Sequence, residues 1–241
     1  MIKTIIFDLD GVLIESKEIH FKALNQALPF NYRISYEEHL STYDGLPTRE
    51  KLKLLTQYKD LPEDLSEEIA KNKAKETQNV LFDTIKPRME FTKIFMCLKN
   101  AGYRIALASN AVRSTVDTAL DCLELRKYFD VIYSNQDVDK PKPHFEMYFK
   151  IMLDLNSKPG ETLILEDSHI GRQAVMDAGC HLLPVIDSYD IKLEKIEAKL
   201  AELNKQIIVR VPWRSNKMNV LIPMAGAGSR FADAGYTFPK P

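Results

Sequence analysis

The sequence predicts an α/β fold, a parallel sheet with helices on both faces, interrupted by an all-helical insertion after the first strand. Three observations predict it. Short apolar runs of strand length, rich in β-branched residues, alternate with longer amphipathic segments, and that alternation builds a parallel sheet covered on both sides. One stretch, residues 15–86, breaks the alternation with helical patterns and no convincing strand. Acids, a hydroxyl and a lysine stand at or just past the ends of the strand-like runs, where open sheets of this kind bind ligands.

The first strand is TIIFDL (4–9). The insertion follows as SKEIHFKALNQAL, SYEEHLSTY, REKLKLLTQY and a run near 64–82, all helical, a small domain over the sheet edge. Lys86 and Pro87 mark the return to the sheet. The strands YRIALAS (103–109), FDVIYS (129–134), ETLILE (161–166) and HLLPVI (181–186) then alternate with helices over 90–102, 112–123, 144–155 and 171–179. Gly102 and Gly179 sit where helix C-caps are expected. Cys97 and Cys122 fall on apolar helix faces and read as core residues.

After Ser188 comes a charged helix with Ile191, Ile196, Leu200 and Leu203 at roughly helical spacing, taken as a terminal or linking helix. IIVRV (207–211) reads as a strand, PWRSNK (212–217) as a linker whose Trp213 packs two parts together, and NVLIP (219–223) as a new strand. The expected domains are 1–14 with 87–190, the core; 15–86, the cap; 191–217, a linking region; and 218–241, the opening of something further.

Composition narrows the class. The 241 residues carry 45% hydrophobic and 28% charged side chains, as ordinary globular proteins do. A net charge of −1 gives no bulk attraction to nucleic acid or to an acidic membrane. The three cysteines, Cys97, Cys122 and Cys180, are odd in number and fit no metal knuckle, which fits reduced thiols in a cytoplasm. MIKTIIFDLDG sets two acids right after a short apolar run and is no secretory signal, and no stretch approaches a membrane span.

The chemistry begins at Asp8-Leu9-Asp10-Gly11. Strand alternation sends Asp8 and Asp10 to one side. Two carboxylates there repel each other unless a cation or a proton intervenes, and one can attack while the other handles a proton. Ser109-Asn110 ends the second strand with groups able to hold phosphate oxygens. Past the third lies Lys140-Pro141-Lys142-Pro143, a lysine fixed by prolines. Glu166-Asp167-Ser168 ends the fourth with the hard oxygen donors that Mg²⁺ prefers. A nucleophile, a metal site and positive charge at one sheet edge suit phosphoryl transfer.

Four segments, FDLDGVL (7–13), ASN (108–110), KPKPHFEMY (140–148) and LEDSHIGRQAVMDAG (165–179), resemble the haloacid dehalogenase (HAD) superfamily. The branch is the one with a Rossmann-like core and a helical cap, similar to β-phosphoglucomutase and phosphoglycolate phosphatase, and the likeness covers about residues 1–190. It implies that Asp8 attacks phosphorus to form an aspartyl-phosphate, and that Asp10 protonates the leaving oxygen and then activates water. Ser109 would hold the phosphoryl group, with Asn110 near it. Lys140, the first lysine of the KPxP pattern, would neutralise charge on Asp8, leaving Lys142 as a surface neighbour. Asp167, with Glu166 near it, would anchor Mg²⁺ together with Asp8 and the backbone carbonyl of Asp10; whether Glu166 meets the metal through water or holds a partner stays open.

GLPTREKL (45–52) resembles the cap segment of the same group, where an arginine at the place of Arg49 grips the distal anion of the substrate. The plainer reading of Arg49 is an exposed salt bridge at a helix start. His20 and Lys73 stand where the mutases keep polar residues; otherwise His20 is a helix-surface histidine, and Lys73 is taken as a solvated lysine. Lys86-Pro87-Arg88 departs from the proline-glycine common after the cap, so Arg88 either reaches the site or faces solvent.

The implied activity is a Mg²⁺-dependent phosphatase acting on a small phosphorylated metabolite, a sugar or polyol phosphate. The alternatives are a phosphomutase and a non-catalytic HAD-like regulatory module. VLIPMAGAGSRF with FPKP (220–241) resembles the opening of an NDP-sugar pyrophosphorylase-type nucleotidyltransferase. There Gly226 and Gly228 would wrap a nucleoside triphosphate while Arg230 and Lys240 met its phosphates. So short a stretch cannot build that second domain. The expectation is a piece of a longer bifunctional protein in which this loop is idle.

Overall fold

The computed structural model describes residues 1–205. Strands β1 (Thr4–Phe7), β2 (Arg104–Ala108), β3 (Val131–Tyr133), β4 (Thr162–Glu166) and β5 (His181–Pro184) form one parallel sheet in the order β3-β2-β1-β4-β5. The five strand expectations that fall on the described residues hold, each strand shorter than expected by one to three residues. The helices are α1 (Ser16–Ala27), α2 (Tyr36–Glu38), α3 (Thr48–Lys59), α4 (Ser66–Thr84), α5 (Met89–Asn100), α6 (Arg113–Cys122), α7 (Glu146–Asp154), α8 (His169–Asp177) and α9 (Leu193–Lys205).

Period-two alternation divides the strand residues between two cores. Ile5, Phe7, Ile105, Leu107, Leu163 and Leu165 point to the face covered by α5, α6 and α9. Ile6, Ala106, Ala108 and Ile164 point to the face covered by α7 and α8. Gly102 and Gly179 take φ of 85° and 69° just past α5 and α8, as expected of helix C-caps.

α1 to α4 lie between β1 and β2 and share a separate cluster of Leu24, Leu28, Ile34, Tyr43, Leu52, Leu55, Leu61 and Ile69. α1 packs along α4, and α4 leans on α6, where Gln78 donates to Ser114 Oγ at 2.8 Å. The segment SYEEHLSTY is one α-turn, α2, running into a π-helical turn at His39–Tyr43.

Three expectations change. Cys97 is exposed and Cys122 half-buried, because α5 turns Phe91, Ile94, Phe95 and Leu98 inward instead. α9 belongs to the core: Ile191, Ile196, Leu200 and Leu203 are buried with β1, and the Ile2 amide donates to Asn204 at 2.9 Å. Arg88 neither reaches the site nor hangs in solvent. It donates to Ser188 Oγ at 2.9 Å and lies over the rings of Phe91 and Tyr189. The expected strands at 207–211 and 219–223, Trp213, and the loop residues Gly226, Gly228, Arg230 and Lys240 lie outside the described residues. Among the described residues no helix is long and apolar enough to cross a membrane.

Candidate active site

β1 and β4 are neighbours in the sheet, and the chain runs outward from them in opposite directions. That reversal opens a crevice beyond their carboxyl ends. Asp8 follows β1 directly, its amide still bonded to the Leu165 carbonyl at 3.1 Å. The chain then turns hard, with the amides of Val12, Leu13 and Ile14 all donating to the Leu9 carbonyl. Gly11, at φ 75°, lets Asp167 lie against this turn, since a Cβ there would stand 2.0 Å from Asp167 Oδ2.

The lysine at Asp8 is Lys142, which corrects the expectation for Lys140. Lys142 Nζ donates to Asp8 Oδ1 at 2.7 Å, to the Ala108 carbonyl at 2.8 Å and to Glu166 Oε2 at 2.8 Å. Lys140 is exposed, and its ammonium makes no ion pair among the described residues. Two long-range features set this register. The side chain of Asn110 clamps the Lys142 backbone, accepting from its amide and donating to its carbonyl, both at 3.0 Å. Tyr148, buried on α7, donates to the same Glu166 oxygen at 3.1 Å. Asn110, expected on phosphate, therefore spends its bonds on Lys142. The tandem KP repeat hid the right lysine; the signal available was Tyr148, an aromatic on the buried face of the next helix.

Oxygens of Asp8, Glu166 and Asp167 lie within 4.8 Å of one another. Three carboxylates face one ammonium there, an excess of two negative charges when all are ionised. Burial first and Glu166 next push Asp8 well above the usual carboxylate range, and the same two causes push Asp167 up to about 7. Among the described residues, Asp167 Oδ1 is buried without a hydrogen-bond partner. Hard donors, uncompensated charge and an orphaned oxygen fit a divalent cation such as Mg²⁺. Glu166 is otherwise occupied: Oε2 accepts from Lys142 and Tyr148, and Oε1 from the amide and hydroxyl of Ser168. Its four acceptor sites are thus filled, which leaves Asp8 and Asp167 as the free donors. Gly171 makes room for it, since a Cβ there would fall 2.0 Å from Glu166 Cδ.

Ser109 is fully buried, its Oγ accepting from the Ala111 amide at 3.0 Å. The Asp10 carboxylate stands apart from the acidic cluster, 3.2 Å from His20 Nε2 on α1. Any Asp10 contact with the cation is therefore left to its backbone carbonyl. Burial pushes His20 below its ordinary range, Asp10 opposing and Lys73 and Lys51 adding to the effect.

A family profile described as haloacid dehalogenase-like hydrolase matches residues 5–185, which takes in all five strands and the cap. The chain belongs to this family. Among its curated relatives, a "Phosphorylated carbohydrates phosphatase" of Thermotoga maritima is 29% identical over 178 residues, 73% of this chain and 82% of the relative. A "Pyrophosphatase PpaX" of Bacillus cereus is 26% identical, covering 70% and 76%. Among solved structures, a β-phosphoglucomutase from Clostridium difficile matches with a TM-score of 0.69 at 23% identity, over 86% of this chain and all of that one. CbbY from Rhodobacter sphaeroides, in complex with phosphate, matches with a TM-score of 0.69 at 24% identity, over 76% and 86%. At these identities the structural likeness is one of fold.

The hydrolase fold brings Asp8, Asp10, Ser109, Glu166 and Asp167 to one sheet edge, as expected. It does not bring Arg49, which is exposed at the start of α3 and makes no hydrogen bond or ion pair among the described residues. Lys73 is not solvated as expected but buried on α4, and so is Lys51 on α3, a residue not singled out in the sequence. Charged, helix-forming surroundings masked both.

Proposed function

We propose that the protein is a divalent-metal-dependent phosphatase of small phosphorylated metabolites, sugar or polyol phosphates among them. The observation that carries this reading is the Asp8 carboxylate, held at 2.7 Å by the buried Lys142 ammonium beside the orphaned oxygen of Asp167. The phosphatase names of the curated relatives support it.

Asp8 Oδ attacks the substrate phosphorus, the bond from phosphorus to the ester oxygen breaks, and Asp10 gives its proton to the leaving oxygen. Asp10 then takes a proton from water, whose oxygen attacks the phosphorus and releases phosphate from Asp8. His20, 3.2 Å away, orients the Asp10 carboxylate. Ser109 and Lys142 steady the transferring group, and Asn110 fixes Lys142 in place. Asp8, Asp167 and the Asp10 carbonyl would hold the cation, with Glu166 behind them; the cation supplies charge neutralisation as the phosphoryl moves. The cap excludes bulk water.

A phosphomutase returning the phosphoryl to a sugar is the second reading, favoured by the fold likeness to β-phosphoglucomutase. It predicts an isomer as product and dependence on a bisphosphate activator. Replacing Asp8 with Asn should abolish phosphate release from a panel of sugar, polyol and acid phosphates with Mg²⁺. Substantial release by that variant would overturn the nucleophile assignment. Three free thiols fit a reducing cytoplasm.

A further inference from the structure

Every N–H of the Lys142 ammonium is already engaged. An ammonium has three donors and no acceptor, and Nζ gives them to Asp8 Oδ1 at 2.7 Å, to the Ala108 carbonyl at 2.8 Å and to Glu166 Oε2 at 2.8 Å. The three bonds are shielded from solvent, since Lys142 is 5% exposed and Glu166 not at all. Ser109 differs. Its Oγ accepts from the Ala111 amide at 3.0 Å, and its O–H donates to no group among the described residues. Ser109 is thus ready to donate to a phosphoryl oxygen, whereas Lys142 can do so only by leaving one of its three acceptors.

Which acceptor it leaves follows from what each would be left with. Asp8 is the attacking group, and the cation has to stay beside it as charge passes to the phosphoryl. Among the described residues, Asp8 Oδ1 and the Ala108 carbonyl each take one side-chain donor, Lys142 itself. Glu166 Oε2 takes two. The hydroxyl of Tyr148, fully buried on α7, donates to it at 3.1 Å. The other oxygen, Oε1, accepts from the Ser168 amide at 3.1 Å and from the Ser168 hydroxyl at 2.8 Å. When Lys142 leaves Glu166, each carboxylate oxygen therefore keeps a donor, and no buried charge is stranded. The ammonium also lies 5.2 Å from the centroid of the Tyr148 ring, whose face favours a cation as it shifts.

We propose that Tyr148 is a positioning residue for phosphoryl transfer: its hydroxyl holds Glu166 Oε2 while Lys142 turns one N–H from that oxygen to the transferring group. In the resting site Lys142 bridges Asp8 and Glu166. In the reacting site it bridges Asp8 and the phosphoryl, and Glu166 is left to Tyr148 and Ser168. This rests on the phosphatase reading and adds a donor exchange to it.

Tyr148→Phe keeps the ring beside Lys142 and removes only the hydroxyl. In the resting protein Glu166 Oε2 still has Lys142, so the variant should fold, with a small fall in Tm. With Mg²⁺ and a panel of phosphate esters, its kcat should fall about tenfold to a hundredfold, because the exchange now leaves a buried carboxylate oxygen without a donor, while KM changes little. Tetrafluoroaluminate, a planar mimic of the transferring group, should bind more weakly by a similar factor. A purely structural role lowers Tm and leaves kcat per folded molecule unchanged; that result, or a loss confined to KM, overturns the proposal. A crystal structure of the wild type with Mg²⁺ and tetrafluoroaluminate reads the exchange without any variant. Lys142 Nζ should then donate to a fluoride and stand beyond about 3.5 Å from Glu166 Oε2, with Tyr148 still on that oxygen. Lys142 keeping all three of its present contacts refutes the exchange. If no ester turns over, the phosphatase reading fails and the two tetrafluoroaluminate measurements decide the exchange alone; a wild type that binds no tetrafluoroaluminate sinks both.

Discussion

Replacing Lys142 with Met keeps the length of the side chain and removes its ammonium. Three contacts go with it, at 2.7 Å to Asp8, 2.8 Å to the Ala108 carbonyl and 2.8 Å to Glu166. Taking the cation from a buried pair strands its partners, at about 3–5 kcal/mol. Here two buried carboxylates lose the same cation, which favours the upper part of that range in the presence of a chelator. Added Mg²⁺ should restore part of the loss, since a dication offsets the same excess charge. Lys140→Met removes an exposed side chain that has no partner among the described residues, and should stay within about 0.5 kcal/mol of the wild type. Urea unfolding of the three proteins, with and without Mg²⁺, reads the stabilities, and phosphate release reads the activity. A Lys142→Met protein within about 1 kcal/mol of the wild type and still active would refute the assignment, as would Lys140→Met being the variant that loses both.

Two further outcomes follow from the packing and the charges. Gly171→Ala places a methyl 2.0 Å from Glu166 Cδ, whose carboxylate four hydrogen bonds hold still. It should cost about 1–3 kcal/mol in urea unfolding and depress phosphate release, while Gly160→Ala, whose methyl would meet nothing within 4 Å among the described residues, should change neither. His39 is pushed down to about 4, by burial first and Lys51 next, so the folded protein holds it neutral. Its ordinary value is 6.5, so between those two values the unfolded chain binds the extra proton and stability falls as the pH drops. Thermal unfolding from pH 7 to 4 should show the wild type losing more stability than His39→Phe, and parallel curves would sink the idea.

The sequence by itself determined the sheet, the helical insertion and most of the site. Runs such as TIIF and TLILE are buried on both faces, and a continuous apolar run declares that locally. Once the strands are parallel, Asp8, Ser109, Glu166 and Asp167 must meet at one edge, because each stands at the carboxyl end of its own strand. Only the tertiary structure decided between Lys140 and Lys142, since two identical KP steps give the same local pattern. The choice falls to the Asn110 clamp and to Tyr148 meeting Glu166, contacts that join distant parts of the chain. It also decided that Lys51 and Lys73 face inward while Arg49 faces out, and that α9 closes the core. Short-range periodicity specifies backbone elements, whereas the direction of a long charged side chain is settled by helix packing and by the charges it meets there.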